Sequence, residues 1–341
     1  MGYAKIAFYR AGLIGDNVVA LHAIYVLRFL YPDSLLVVYT NSNGIQLYTQ
    51  FTFIDVLINI DSLGQKELQN NINSYSFDVF VLTQANRRHC NLIYHTNCKK
   101  IISFLSAGNI FKSRFHTIFL SRNFNSMPQY QRMLMLVRKI DSQIFDKHIN
   151  AIDFSAIMLR SNQENDDFVQ NFFNTHNICL ESPIVVINPF VHSTFCNLTL
   201  HECGEGGWNK LINILSSLYP TINFIIPTYS NNKKLPDSLP QNVKIFYNTH
   251  DLLNLVALLR YATLLISPST GPSHIANNLK IPIILLCSKR DKSLWKGDNM
   301  DSSYFIELQK TTKHITPREE DIIIQETLEK FKIFCKNYNV L

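Results

Sequence analysis

Charge is scarce in this chain: 17% of its 341 residues are Asp, Glu, Lys or Arg, against 46% that are hydrophobic. That balance excludes a disordered chain, which has too little apolar surface to bury. Long apolar runs are lacking too. None approaches the ~20 residues that cross a bilayer, so no membrane-spanning helix is expected. The first residues, Met1-Gly2-Tyr3-Ala4-Lys5-Ile6, lack the apolar stretch of a secretory leader, and Ile6 stands where a myristoylation signal has Ser or Thr. Cysteine is limited to seven scattered residues, an odd number that fits reduced thiols in a cytoplasm. Cys196 and Cys203 flank His201, but their spacing matches no standard zinc pattern, so no metal is expected. Gly12-x-x-Gly15 falls short of the full dinucleotide fingerprint, and no nicotinamide site is read there. A helix-turn-helix, zinc ligands and a stacking aromatic motif are all missing, which removes nucleic acid as a partner. No short-period repeat, low-complexity segment or heptad array appears.

What is present is an alternation of strands and helices, at a length that suits two domains. Lys5–Tyr9 reads as a strand, and from Asp16 the apolar spacing turns helical through Val18, Val19, Leu21, Ile24, Leu27 and Leu30. Residues 34–40 form a second strand, giving the strand–helix–strand unit of a parallel sheet. Further strands are predicted at 55–60, 77–83 and 100–104, and a helix at 129–140. Residues 141–181 are less regular, with Asn162-Gln163-Glu164-Asn165-Asp166-Asp167 as a polar break. A second series follows: strands at 183–188, 223–229 and 243–247, helices at 207–218 and 251–261, then Ala262–Ile266 and Ile281–Leu286 as strands around a short helix. Thr316-Pro317-Arg318-Glu319 is a capping box that opens a last helix. The pattern predicts an α/β protein of two facing Rossmann-like domains, over 1–165 and 166–320. A C-terminal helix over 321–341 is given the N-terminal domain as a surface to pack back on. A cleft between two such domains would set Asp16 opposite Thr270 and Gly271.

Two turns concentrate the chemistry. Asp16 sits where the first strand hands over to its helix, at the carboxyl edge where open α/β sheets bind ligands, as a helix cap or as a base. The turn Ser269-Thr270-Gly271-Pro272-Ser273-His274 is small and polar and opens a helix, which makes it a cap or a phosphate seat. Ser193 follows another strand at a sheet edge and is a second hydroxyl for a phosphate. Charge is uneven: residues 1–150 hold 15 Lys and Arg against 8 Asp and Glu, a net of +7. Arg10, Arg87 and Arg88 belong to that basic half and are the candidates to meet an anionic acceptor; a solvated basic face is the plain alternative.

Taken together, these segments resemble the heptosyltransferases of lipopolysaccharide synthesis, glycosyltransferase family 9. The resemblance rests on Gly15-Asp16, Asn188-Pro189, Gly207-Trp208, the helix Asp251–Ala262 and Ser269–Ala276. It runs through most of the chain in order, and most strongly through the second half. It implies a GT-B fold and an inverting, metal-independent transfer from a nucleotide-sugar co-substrate, commonly ADP-heptose, to a lipopolysaccharide-core or similar glycolipid. On that resemblance Asp16 matches the catalytic base, while Thr270, Gly271 and His274 match residues that line the donor site; Ser269, Pro272 and Ser193 are candidates to bind the donor beside them. A cytoplasmic protein, peripheral on the inner face of the cytoplasmic membrane, is implied as well.

Three departures bear on the donor more than on the fold. Ser269 stands where many members carry Asp. Residues 182–209 contain no Lys or Arg where many members have a Lys. Ser230-Asn231-Asn232-Lys233-Lys234 replaces the acidic residue expected near the nucleotide ribose. Lys289, Arg290 and Lys292 are the candidates to replace the missing charge. The departures also leave open a non-catalytic nucleotide-sugar-binding or partner protein.

Overall fold

The computed structural model describes residues 3–119, 126–191, 198, 206–229, 238–294, 297, 303–308 and 315–338. Two compact units divide the chain, Met1–Met158 and Leu159–Leu341.

The first unit carries a six-stranded sheet of β1 (Lys5–Tyr9), β2 (Leu35–Thr40), β3 (Val56–Asn59), β4 (Val79–Leu82), β5 (Lys100–Phe104) and β6 (Phe115–Ile118), in the order β3-β2-β1-β4-β5-β6. Every pairing is parallel. Helices α1 (Ile14–Leu30), α2 (Ser42–Tyr48), α3 (Gln65–Tyr75) and α4 (Arg87–Tyr94) connect the first five strands, and α5 (Gln129–Arg138) and α6 (Ser142–His148) follow β6. A parallel sheet with helices on both faces buries both sides of each strand, so its central strands read as unbroken apolar runs. Val79-Phe80-Val81-Leu82 of β4 is buried throughout, as is Ile6–Tyr9 of β1.

The second unit begins with α7 (Gln163–Thr175) and holds β7 (Ile184–Ile187), α8 (Gly207–Leu218), β8 (Asn223–Tyr229), β9 (Val243–Asn248), α9 (Leu253–Arg260), β10 (Leu264–Pro268), α10 (Gly271–Asn278), β11 (Ile283–Ser288), α11 (Lys289–Leu294), β12 (Tyr304–Leu308) and α12 (Pro317–Asn337). Its sheet order is β12-β11-β10-β7-β8-β9, again all parallel. Counted from β7, that is the winding order of the first sheet repeated.

One expectation changes. The polar run at 162–167 is not a break but the start of α7: Asn162 caps it, its side-chain oxygen accepting from Asn165 N–H. Asn165 then donates to Asp251 Oδ2 at 2.6 Å and Asn254 Oδ1 at 2.9 Å on the α9 side, so α7 belongs to the second unit and the division falls at 158–159. The last helix likewise has its apolar stripe in the second unit. Ile323, Ile324, Phe331, Phe334 and Cys335 of α12 join the core built on Trp208, Leu211 and Phe224. The buried Glu320 fixes its start: a Cβ on Gly207 would stand 2.8 Å from the Glu320 carboxylate, which lies against the first turn of α8.

Candidate active site

Each sheet reverses its winding between its first and fourth strands, β1/β4 and β7/β10. Connections leave such a point toward opposite faces, and the gap they open at the carboxyl edge is where α/β sheets take ligands.

At β1/β4 the turn Arg10–Leu13 leads into α1, with Asp16 in its first turn rather than at the cap. One carboxylate oxygen, Oδ2, accepts from Leu13 N–H at 3.0 Å; the other, Oδ1, accepts from Arg10 Nη2. Arg10 Nε also donates to the Asp16 carbonyl at 3.3 Å. Each oxygen has one lone pair engaged, and the side chain is 23% exposed, so a ligand hydroxyl can still reach it. Gly12 makes the arrangement possible, since a Cβ there would lie 2.5 Å from Asp16 Oδ2 and 2.7 Å from its Cβ.

The turn itself is tied down from both sides. Asn17, fully buried, donates to Gly12 O, Leu13 O and Asn41 Oδ1 at 3.2, 3.1 and 3.1 Å. Asn41 donates to Gly12 O at 2.8 Å, and Thr40 and Tyr48 hydroxyls reach Asn17 Oδ1. From β4, Thr83 Oγ1 donates to Tyr9 O at 2.8 Å and Gln84 Nε2 to Ala11 O. None of Asn17, Asn41, Tyr48 or Gln84 stands out in the sequence. The bonds that tie these segments together span 24 residues from Asn17 to Asn41, 31 from Tyr48 to Asn17 and 73 from Gln84 to Ala11, and the one local hint is an Asn directly after Gly15-Asp16.

Next to β1, His89 in the first turn of α4 meets Tyr9 Oη at 3.3 Å and Asn86 Nδ2 at 3.0 Å. Asn86 Oδ1 is used by His89 N–H, so Asn86 Nδ2 points at His89 Nδ1 as a donor. That makes Nδ1 an acceptor and leaves Nε2–H to face Tyr9, which is the neutral ring. Burial pushes His89 below its ordinary value, with Arg88 adding to it. Burial also pushes the Tyr9 hydroxyl up to about 12, so it stays protonated.

At β7/β10, Asn188 at the end of β7 spans the switch point. Its Nδ2 donates to Ser267 Oγ and Thr270 Oγ1, both at 3.0 Å. Thr270 caps α10 in an extended conformation, and Ser273 accepts from Thr270 N–H at 3.1 Å while donating to Thr270 O at 2.7 Å. Ser273 and His274 N–H groups turn back to Thr270 O, and Pro272 has none. The helix end therefore offers the Gly271 N–H and the positive end of the helix dipole, a narrower seat than a fully open turn.

The predicted site residues fall as follows. Asp16 lies at the first switch point, and Ser269, Thr270, Gly271, Pro272 and His274 lie at the second. His274 is buried in the first turn of α10. Arg87 and Arg88 are exposed at the N-terminus of α4, following β4 at the carboxyl edge. Arg10 differs from expectation: it is 5% exposed, and its guanidinium is engaged by Asp16, so it positions the carboxylate in place of facing an acceptor. Ser193 and His192 lie outside the described residues, as does 230–237. Trp208 is a core residue. Lys289 and Arg290 are exposed on α11, whereas Lys292 stacks over Phe305 at 4.9 Å. Among the described residues no group of three His, Cys, Asp or Glu is placed to hold a metal ion, and no helix is long and apolar enough to cross a membrane.

By sequence the chain matches no protein-family profile and no curated protein. By structure it is similar to the glycosyl transferase family 9 protein from Veillonella parvula, with a TM-score of 0.77 at 13% identity over 98% of both chains. The fold is GT-B. E. coli ADP-heptose lipopolysaccharide heptosyltransferase II gives a TM-score of 0.73 at 12% identity, over 98% of this chain and 99% of that one. E. coli heptosyltransferase WaaC, solved with ADP-2-deoxy-2-fluoro heptose, gives 0.61 at 13% identity, over 95% and 99%.

Proposed function

We propose that the chain is an inverting, metal-independent glycosyltransferase of family 9, moving a sugar from a nucleotide-sugar to an anionic glycolipid. The observation that carries this is the pairing of two switch points on one GT-B chain: a held carboxylate at the first, and a hydroxyl-lined helix N-terminus at the second. In this reading Asp16 takes the proton of the acceptor hydroxyl as the new bond forms at the anomeric carbon. Gly271 N–H and the α10 dipole bear on the leaving diphosphate, with Thr270 and His274 beside them and Ser269 and Pro272 shaping the turn. Lys289 and Arg290 supply the cationic charge missing from 182–209. One similar E. coli protein is an ADP-heptose heptosyltransferase and the other was solved with a fluoro analogue of that donor, which makes ADP-heptose the first donor to try. A lipopolysaccharide-core acceptor would place the work on the cytoplasmic face of a membrane.

The test has two steps. A thermal-shift screen of nucleotide-sugars should find one that raises Tm, because a ligand bound only by the folded state stabilises it by mass action. Nucleoside diphosphate should then be released when an acceptor glycolipid is added. A donor that binds but is never turned over would favour a non-catalytic nucleotide-sugar-binding protein; no stabilising donor at all would overturn both readings.

A further inference from the structure

Residues 105–114 join β5 to β6, and this turn has its polarity inverted. Asn109 is buried, its Nδ2 donating to Phe104 O at 2.8 Å and its Oδ1 accepting from Ser106 N–H at 2.9 Å. Ser106 Oγ donates to Ala85 O at 2.5 Å and accepts from Gly108 N–H at 3.1 Å. The polar groups are thus turned inward, while Phe111 is 95% exposed and Ile110 54% exposed. A solvated turn has no physical reason to hide its Asn and hold a Phe in water. The tip is also braced: a Cβ on Gly108 would stand 3.0 Å from Arg87 Cα, so the turn rests on the start of α4, where Arg87 and Arg88 are exposed. Lys112 follows directly, over the Tyr94 ring at 4.5 Å.

We infer that the Ile110–Phe111 tip, with the Arg87, Arg88 and Lys112 cations around it, is an interfacial anchor for an anionic lipid bilayer. Two side chains are too few for the core of a stable protein–protein interface, which needs ~800 Å² on each partner. They suit insertion of ~5–10 Å into the headgroup region, where one weak apolar signal is made lasting by a second, basic one. The segment leaves the carboxyl end of β5, two strands from β1 and so ~10 Å from the Asp16 turn at ~4.8 Å per strand. It then runs along α4, from Arg87 toward Tyr94, to reach the start of the parallel strand β6. The anchoring rests on the proposed acceptor class only for its purpose. Binding to vesicles is scored without donor or acceptor.

The experiment is co-sedimentation of the full chain with phosphatidylglycerol–phosphatidylcholine vesicles and with phosphatidylcholine alone. Binding should be tighter to the anionic vesicles and weaken as salt rises. Ile110→Ser with Phe111→Ser should cut partition roughly tenfold or more at unchanged Tm, because exposed side chains add little to the folded state. A chain that stays in the supernatant with anionic vesicles, or a double variant that binds like its parent, overturns the anchor. As an independent readout, Phe111→Trp should give a blue-shifted emission, above the parent's signal, when vesicles are added. An unshifted spectrum would sink the idea even if the Ser variants misfold.

Discussion

Asp16 has two jobs that can be separated by substitution. Asn at this position keeps an oxygen for Leu13 N–H but removes the charge that Arg10 faces and the capacity to take a proton. Transfer should fall roughly a hundredfold or more, with donor affinity within about threefold. Stability should drop too, by about 1–3 kcal/mol, because Arg10 is left buried beside a neutral amide. Gly12→Ala tests placement alone: the charge stays, but the new methyl lies 2.5 Å from the carboxylate and pushes it aside. A tenfold or larger loss of kcat with intact donor binding is expected. If both variants turn over normally in a steady-state assay, Asp16 only fastens its helix. His89 gives a pH signature. Its folded pKa is lowered, so the folded state resists a proton that the unfolded chain accepts. Stability is therefore full above the ordinary value near 6.5 and declines as pH falls through it toward the folded pKa. His116 and His176 are shifted the same way by burial and add to the slope. Thermal melts of His89→Gln should lose less Tm than the parent between neutral and mildly acidic pH; parallel curves would remove His89 from the account.

Elements differ in how visible they are before folding. β1, β5, α8 and β8 have the limits their apolar patterns gave, because long buried runs admit one reading. Helices α2, α3 and α4 went unread: they are short or polar, and only two or three residues of each are buried. Strands β6 and β12, at the two sheet edges, carry half-buried or mixed residues and resemble loops. Asp16 and the α10 turn were legible because their chemistry is local. Asn17 was not, since its bond to Asn41 joins segments 24 residues apart; Asn188 was picked out as a motif residue, but its bonds to Ser267 and Thr270 span 79 and 82 residues and were not. α10 carries the element-scale prediction. Val at Gly271 would place a branched side chain at the helix end while helical backbone still accepts it. Nucleoside-diphosphate affinity should weaken more than tenfold with Tm little changed. Unaltered affinity by calorimetry would move the phosphate site off this turn.

Across the whole molecule, charge is partitioned by unit: the positive balance lies in the first 150 residues, and the remainder is near neutral. If that balance serves an anionic acceptor, reversing Arg87 and Arg88 to Glu should raise acceptor KM several-fold and leave donor affinity unchanged. Added salt should shrink the difference, as exposed charges are screened beyond ~8–10 Å at physiological ionic strength. Acceptor KM indifferent to both the reversal and the salt would remove Arg87 and Arg88 from acceptor binding and leave them to the bilayer contact alone.

The position of α12 has a consequence during synthesis. The first unit has all its strands and helices once residue 158 has emerged from the ribosome. The second sheet cannot close over Trp208 and Phe224 until Phe331 and Phe334 arrive, more than a hundred residues later. At ~5–20 residues per second, its apolar face stays open to chaperones and to neighbouring nascent chains for roughly 5–30 s. The half of the chain that reads as the donor site is thus the half most exposed while it is being made.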